Sequence, residues 1–135
     1  MADRTLTLAI MDAPYEAAAS TTAFRIIAAA LAKGIDVNVF AYEGAVSLTV
    51  KEQAPHANPV KGTSVEQEEH PTTKDLVAAL LDLGQSAPRL NWVNCGLCVD
   101  ERGAGSWIDG VKRGGPANFL EMAVASTTTL VIPTK

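Results

Sequence analysis

Segments with strand character alternate with segments of helical character along the chain. Residues 5–11 alternate apolar and polar side chains and predict a strand that ends in a turn. Residues of about 17–33 are alanine-rich, with apolar positions three and four apart, and predict a helix that ends at Gly34. Residues 37–42 return to the β-branched and aromatic composition of a strand. This alternation predicts a mostly parallel sheet with helices on both faces, because right-handed crossovers place them there.

The second half of the chain continues the same alternation. A helical stripe begins near residue 74, with Thr73 as the expected N-cap and Gly84 as the stop. The remaining predicted elements are a strand at 90–94, a short helix at 96–102, a short strand at 110–114, a helix at 116–125 and a strand at 127–132. Trp92, on the strand at 90–94, which is the third predicted strand of the chain, is expected in the core.

A polar stretch at about residues 54–73 interrupts the pattern. It contains three prolines, both histidines and an acidic run, and we expect an exposed loop. The chain has 135 residues and 47% hydrophobic content, which fits one domain over 1–135 with a core that needs no disulfide or metal.

The charge balance and the first residues limit the possible partners. The formal charge is −4, with 11 basic and 15 acidic residues, so no positive field attracts nucleic acid or anionic lipid. The first strand begins too early, and is too β-patterned, for a signal peptide or a membrane span. We therefore expect a cytoplasmic protein that binds neither nucleic acid nor a membrane.

Cys95 and Cys98 are the only cysteines, and they follow the third predicted strand as C-G-L-C. Ligands in open α/β sheets bind at the carboxyl ends of strands, and this edge gathers residues 12–15, 42–44 and 94–98. A thiol at a strand end and a helix start has backbone N–H groups nearby, which favour the thiolate. The alternative for Cys95 is a small buried residue without reactivity.

Four further residues are candidates for this site. Gly96 permits close approach to the Cys95 sulfur, and Arg102 adds positive charge if the short helix turns its guanidinium toward the site. Tyr15 and Glu43 lie on the same predicted edge, where they either shape a pocket and bind a partner or serve as turn residues.

Three chemistries fit a C-x-x-C pair. A zinc site needs about four ligands, and the chain adds only His56 and His70, so we expect no metal and no other cofactor. C-G-L-C is similar to the C-G-P-C motif of thioredoxins, but that family places its motif near the first strands. Persulfide transfer is the third chemistry, and it needs a single cysteine.

The run C-G-L-C-V-D-E-R-G at 95–103, followed by I-D-G-V-K-R-G at 108–114, resembles the DsrE/DsrF/TusD family of sulfur-relay proteins. Residues 5–15 and 37–46 resemble the family as well, so the likeness covers nearly the whole chain and lapses in the polar loop. In TusD and DsrE the active cysteine lies eight residues before the glycine of an R-G pair, which corresponds here to Cys95. Cys98 is consistent with the family without being required by transfer chemistry, and it is expected to act at most as a resolving thiol.

The resemblance implies a three-layer α/β/α sandwich with a mostly parallel five-stranded sheet, assembled into homotrimers or hexamers. It also implies a sulfur carrier or sulfurtransferase that holds sulfane sulfur on Cys95 and exchanges it with TusA-like or DsrC/TusE-like carriers. The chain departs from the family pattern in its longer polar loop and in Glu43-Gly44-Ala45 where D-G-V is more usual. Two other functions stay open, a thiol-disulfide redox protein that uses both cysteines and a non-catalytic oligomeric binding protein.

Overall fold

Five parallel strands form one sheet in the computed structural model, which describes residues 4–57, 61–68 and 71–134. The strands are β1 (Thr5–Ile10), β2 (Asp36–Ala41), β3 (Leu90–Cys95), β4 (Val111–Gly114) and β5 (Thr128–Ile132). Their order across the sheet is β4-β3-β2-β1-β5, and every neighbouring pair is parallel. The α/β fold expected from the strand–helix alternation, and the five-stranded sheet that the resemblance implies, are therefore confirmed.

Helices cover both faces of this sheet. They are α1 (Ala19–Ala32), a 3₁₀ helix (Glu43–Thr49), α2 (Val65–Glu68), α3 (Thr73–Leu83), α4 (Gly96–Arg102) and α5 (Pro116–Ala125). The chain steps from β1 to β4 in one direction, and α5 then carries it back across the sheet to β5, beside β1. Because right-handed crossovers switch faces when the direction reverses, α5 packs on the face opposite α1 and α3.

The larger core lies between the sheet and the pair α1 and α3. Trp92 of β3 is fully buried there, as expected, and the ring of Phe24 from α1 lies against it with centroids 6.4 Å apart. Ile27 and Leu31 continue the buried stripe of α1, spaced three and four residues along the helix. Val77 and Leu80 supply the matching stripe of α3. The 3.6-residue period read from the sequence thus reports the packed face of each helix.

The smaller core lies on the α5 face and contains the cysteines. Side chains alternate along β3, so Trp92 points into the larger core while Val93 and Cys95 point to the other side. Phe40 of β2 lies beside them and stacks on Phe119 of α5, with ring centroids 5.4 Å apart. The thiols therefore belong to a packed apolar cluster, at the carboxyl end of β3.

Two local predictions need correction. Thr73 does not cap α3: Thr72 occupies the N-cap position, and Thr73 is buried inside the helix with its hydroxyl donating to the carbonyl of Leu48 at 2.9 Å. The Leu48 carbonyl belongs to the 3₁₀ helix, which the sequence did not predict. The Thr73 hydroxyl donates to this carbonyl instead of capping α3.

The polar stretch at 54–73 is also not loop throughout. It contains α2, which starts with a reciprocal pair in which the N–H of Ser64 donates to Gln67 Oε1 and the N–H of Gln67 donates to Ser64 Oγ. Among the described residues, no helix combines the length and the apolar character needed to cross a membrane.

Candidate functional site

The two thiols lie at the junction of β3 and α4. Cys95 is the last residue of β3 and occupies the N-cap position of α4, and Cys98 follows within the first turn. Both are free cysteines, and their exposed fractions are only 2% and 4%. Gly96 begins the helix between them and is itself buried. The junction predicted from the sequence is present, with both sulfur atoms shielded from solvent in the single chain.

Cys98 is held as a protonated thiol. Burial, reinforced by a hydrogen bond with Cys95, raises the pKa of the Cys98 thiol to about 11. The backbone N–H of Glu43 donates to Cys98 Sγ at 3.2 Å, which opposes this rise without cancelling it. At neutral pH Cys98 is therefore neutral, and its S–H is available as a hydrogen-bond donor to the Cys95 sulfur.

Glu43 reaches this position through an unusual backbone conformation. Its φ of 52° lies in the left-handed region, which residues other than glycine adopt infrequently. The turn it makes directly after Tyr42 starts the 3₁₀ helix and aims the Glu43 N–H at Cys98. The sequence predicts Glu43 at this sheet edge but carries no signal that its main chain contacts a thiol.

Arg102 binds Glu43 at the surface of the site. Its Nη2 atom lies 2.8 Å from Glu43 Oε2, and its Nη1 donates to the carbonyl of Cys98 at 3.5 Å. The guanidinium therefore links the last turn of α4 to the start of the 3₁₀ helix, and much of its charge is matched by the Glu43 carboxylate. Both side chains are partly exposed, so the pair contributes at most about 1 kcal/mol to stability.

Tyr42 completes the row of side chains beside Cys95. Asn94 pairs with Ala41 in the sheet register, which places the next residues, Cys95 and Tyr42, alongside one another. The carboxylate of Glu43 raises the pKa of the Tyr42 phenol above its ordinary value, with smaller contributions from negative charge on Cys98 and Cys95. This coupling shows that Tyr42 and both thiols share one electrostatic environment.

A second charged pair, absent from the sequence-based site, covers the opposite side of the junction. Arg113 of β4 forms a two-pronged contact with Asp100 of α4, with Nη1 to Oδ1 at 3.2 Å and Nη2 to Oδ2 at 2.8 Å. The Asp100 carboxylate raises the pKa of the Arg113 guanidinium, and Arg113 in turn lowers that of Asp100. The sequence signal for this pair was the V-K-R-G run at 111–114, whose pairing with β3 becomes visible only in the sheet.

Tyr15 lies away from the thiols. Its ring is 54% exposed and meets the ring of His56 edge-on at a centroid distance of 5.3 Å. It borders a groove formed by residues of α1 and α3, on the face of the sheet opposite the cysteines. The structure thus brings together Cys95, Cys98, Gly96, Glu43 and Arg102 of the predicted residues and leaves Tyr15 outside the group.

The two ends of the sheet carry different cavities. An apolar cavity of about 230 Å³ lies next to Tyr42, between the carboxyl ends of β1 and β2 and helix α5. A larger cavity of about 530 Å³ lies by the amino ends of β3 and β4 and touches neither cysteine. In the described part of the chain no group of three or more His, Cys, Asp or Glu residues is arranged to hold a metal ion, and His70 falls outside that part.

Comparisons with known proteins agree with this architecture. The model of the DsrE/DsrF-like family matches residues 5–131. Among solved structures, the ychN protein from E. coli is similar, with a TM-score of 0.74 over 95% of this chain and 98% of that one, at 19% sequence identity. The comparison with curated proteins gave no match. At this identity the structural likeness establishes the fold alone.

Proposed function

Because the chain belongs to the DsrE/DsrF-like family, whose general theme is sulfur relay, we propose that it is a sulfur carrier or sulfurtransferase. In this proposal Cys95 holds sulfane sulfur as a persulfide and exchanges it with a partner thiol. The observation that carries the assignment to Cys95 is its position, as the last residue of β3 at the carboxyl edge of the sheet and eight residues before Gly103. Burial raises the pKa of the Cys98 thiol to about 11, which disfavours Cys98 as the nucleophile.

The transfer needs no external oxidant or reductant. The Cys95 thiolate attacks the outer sulfur of a donor persulfide, R–S–SH, and forms a new S–S bond as the donor S–S bond breaks. The bonding electron pair leaves on the donor as R–S⁻, and the protein carries Cys95–S–SH. An acceptor thiolate then attacks the outer sulfur in the same way, which returns Cys95 to the thiolate.

The neutral state of Cys98 protects the carried sulfur. If the Cys98 thiolate attacked the inner sulfur of Cys95–S–SH, a Cys95–Cys98 disulfide would form and hydrosulfide would leave. This side reaction requires deprotonated Cys98, which is scarce at neutral pH because the pKa of this thiol is about 11. A loaded chain is therefore expected to keep its sulfur until an acceptor arrives.

Mass spectrometry after incubation with polysulfide or a persulfidated donor tests the proposal. The wild-type chain should gain one or more sulfur masses that a reductant removes, and Cys98→Ser should still gain them. Cys95→Ser should not, because the remaining Cys98 thiol, whose pKa is raised by burial, is protonated at neutral pH. An adduct of equal yield in Cys95→Ser would refute the assignment.

The direct contact between the two thiols favours a second candidate, a thiol-disulfide redox protein. Cys95 and Cys98 lie at the N-cap and in the first turn of α4, and a hydrogen bond with Cys95 contributes to the raised pKa of Cys98. In that function Cys98→Ser abolishes turnover of a disulfide substrate, whereas a sulfur carrier continues to load. The two candidates thus give opposite results for one variant.

Partners and assembly follow from the same proposal. The expected partners are TusA-like or DsrC/TusE-like sulfur carriers, in a cytoplasmic location that stays a prediction from sequence.

We further propose assembly into a homotrimer or hexamer through α5 and the edge strand β5. Leu120 and Val124 lie one turn apart on the outer side of α5, with 63% and 78% exposure, and Val131 of β5 is 53% exposed. We propose copies of this chain as the partner because the family resemblance implies homotrimers or hexamers, and Val131 of this face also lines the cavity beside Tyr42.

A further inference from the structure

Arg113 approaches the cysteine junction through a gap that only glycine leaves open. In the register of the sheet Asn94 pairs with Arg113, and Cys95 pairs with Gly114. A Cβ atom at position 96 would lie 2.8 Å from both Cζ and Nε of Arg113. The guanidinium therefore packs directly on the residue that follows Cys95.

Asp100 fixes the orientation of this guanidinium. It lies four residues after Gly96, on the same side of α4 and one turn further along. Its two oxygens bind Nη1 and Nη2 at 3.2 and 2.8 Å, a planar fork that restrains both direction and distance. Arg113 is thus held along the first turn of α4, with Nε and Cζ facing the Gly96 main chain.

Two arginines lie near the cysteine junction, and each is paired with a carboxylate. Arg102 is paired with Glu43, and Glu43 itself adds negative charge near Tyr42 and Cys98. The Cys98 thiol is neutral at pH values well below its pKa of about 11. The pKa of the Arg113 guanidinium is raised mainly by Asp100, and negative charge on Cys95 adds to this rise, so Arg113 interacts electrostatically with the Cys95 thiolate.

We infer that Arg113 is the residue that stabilises the Cys95 thiolate, with Asp100 as its positioning residue and Gly96 as the opening that admits it. The inference rests on the proposed role of Cys95 as sulfur acceptor. It gives the site a cation that favours the anion before attack and again when the acceptor departs with the outer sulfur. Arg102, by comparison, ties α4 to the 3₁₀ helix.

The test is a pH titration of the Cys95 thiolate, followed by ultraviolet absorbance in a Cys98→Ser background. Arg113→Gln should raise the Cys95 pKa, as expected for loss of a nearby opposite charge. Arg113→Lys should raise it less, because the charge is kept while the fork on Asp100 is lost. Lys112→Gln is the matched control: it removes the same charge from the neighbouring position of β4 and should leave the titration in place.

Gly96→Ala tests the geometry without removing any charge. Its methyl group would meet the flexible end of Arg113, so the chain can fold while the guanidinium is displaced. We expect a raised Cys95 pKa in Gly96→Ala and no change in Gly105→Ala, where the nearest atom is Val99 Cγ1 at 4.0 Å. Unchanged Cys95 titration in folded Arg113→Gln or folded Gly96→Ala would overturn the inference.

Sulfur loading, measured separately, distinguishes this inference from the proposed function. If Arg113→Gln shifts the titration but the wild type takes up no sulfur, the electrostatic role stands and the carrier function fails. If the wild type loads sulfur on Cys95 and the titration does not respond to Arg113, the carrier function stands and the role of Arg113 fails.

Discussion

The backbone N–H of Glu43 donates a hydrogen bond to the Sγ atom of Cys98 across 3.2 Å. The carboxylate of the same residue binds Arg102 at the far end of α4. One residue after β2 therefore contacts both the first and the last turn of the cysteine helix. The pKa of the Cys98 thiol therefore depends on burial, which raises it, and on this tertiary contact, which lowers it.

Cys98 should make the protein less stable in alkaline solution. Below pH 9.0 this thiol is protonated in both the folded and the unfolded chain, so its contribution to stability is complete. Above that pH the unfolded chain ionises first, and the free energy of unfolding should fall by up to about 2 kcal/mol as the pH approaches about 11. Urea unfolding across this range measures the effect. Cys98→Ala should show a shallower decline, and identical slopes in both proteins would contradict the prediction.

Glu43→Gln should lower the pKa of Tyr42 toward its ordinary value of 10.0, because the carboxylate is the main cause of the rise. A tyrosinate absorbance titration in a Tyr15→Phe background isolates Tyr42, since the chain has two tyrosines. Arg102→Gln is the informative comparison. It removes the cation bound to the carboxylate and should not lower the Tyr42 pKa. A fall of equal size in both variants would mean that the ion pair, rather than the carboxylate charge, controls Tyr42.

Asn94→Ala should destabilise the fold by about 1–3 kcal/mol, because it leaves buried polar groups without partners. Asn94 accepts a hydrogen bond from the Trp92 indole N–H at 3.2 Å and donates to Thr49 Oγ1 at 3.0 Å. These bonds anchor the 3₁₀ helix, and with it Glu43, to the strand that carries Cys95. Chemical denaturation measures the loss, and Gln85→Ala, which truncates an exposed amide, provides the control. Equal stability of the two variants would show that the buried hydrogen bonds of Asn94 contribute nothing to stability.

Gly44→Ala should destabilise the protein by about 1–3 kcal/mol through overpacking. A Cβ atom at this position would lie 2.9 Å from Ala13 Cβ and 3.0 Å from the Ala13 nitrogen, and the main chain there cannot give way as a flexible side chain can. Gly105→Ala places its methyl group in nearly open space and should be close to neutral. Thermal unfolding of both variants checks the difference, and a wild-type melting temperature for Gly44→Ala would refute it.

Val124→Glu should dissociate the proposed homo-oligomer, because it buries a charge in the apolar face of α5 on assembly. Sedimentation velocity should show smaller species for this variant than for the wild type. Leu83→Glu is matched in exposure, at 65%, but lies on α3 on the other side of the sheet, and it should leave the assembly intact. A wild-type chain that sediments as a monomer would remove the oligomer from the proposal.

Local sequence patterns predicted most of the elements but missed those that depend on distant partners. The helix of Phe24, Ile27 and Leu31 was recognised because its apolar period is repeated over several turns. The 3₁₀ helix at Glu43–Thr49 was not predicted, because its buried residues pack into both cores and its Leu48 carbonyl binds the distant Thr73 hydroxyl. Tyr15 and Glu43 each follow a strand and were therefore predicted at the same sheet edge. Tyr15 instead has a left-handed backbone conformation, with a φ of 67°, and lies beside residues of α1 and α3.

The sequence by itself determined the alternation of strands and helices, the family, and the position of Cys95 and Cys98 between the third strand and the following helix. These properties follow from side-chain period and residue spacing, which are local along the chain. Tertiary structure alone decided that the Cys98 thiol stays protonated and that the Arg113 guanidinium lies against Gly96. Burial, the Glu43 N–H and the Arg113–Asp100 fork bring together residues from β2, α4 and β4, and electrostatic interactions depend on distance in space rather than along the sequence.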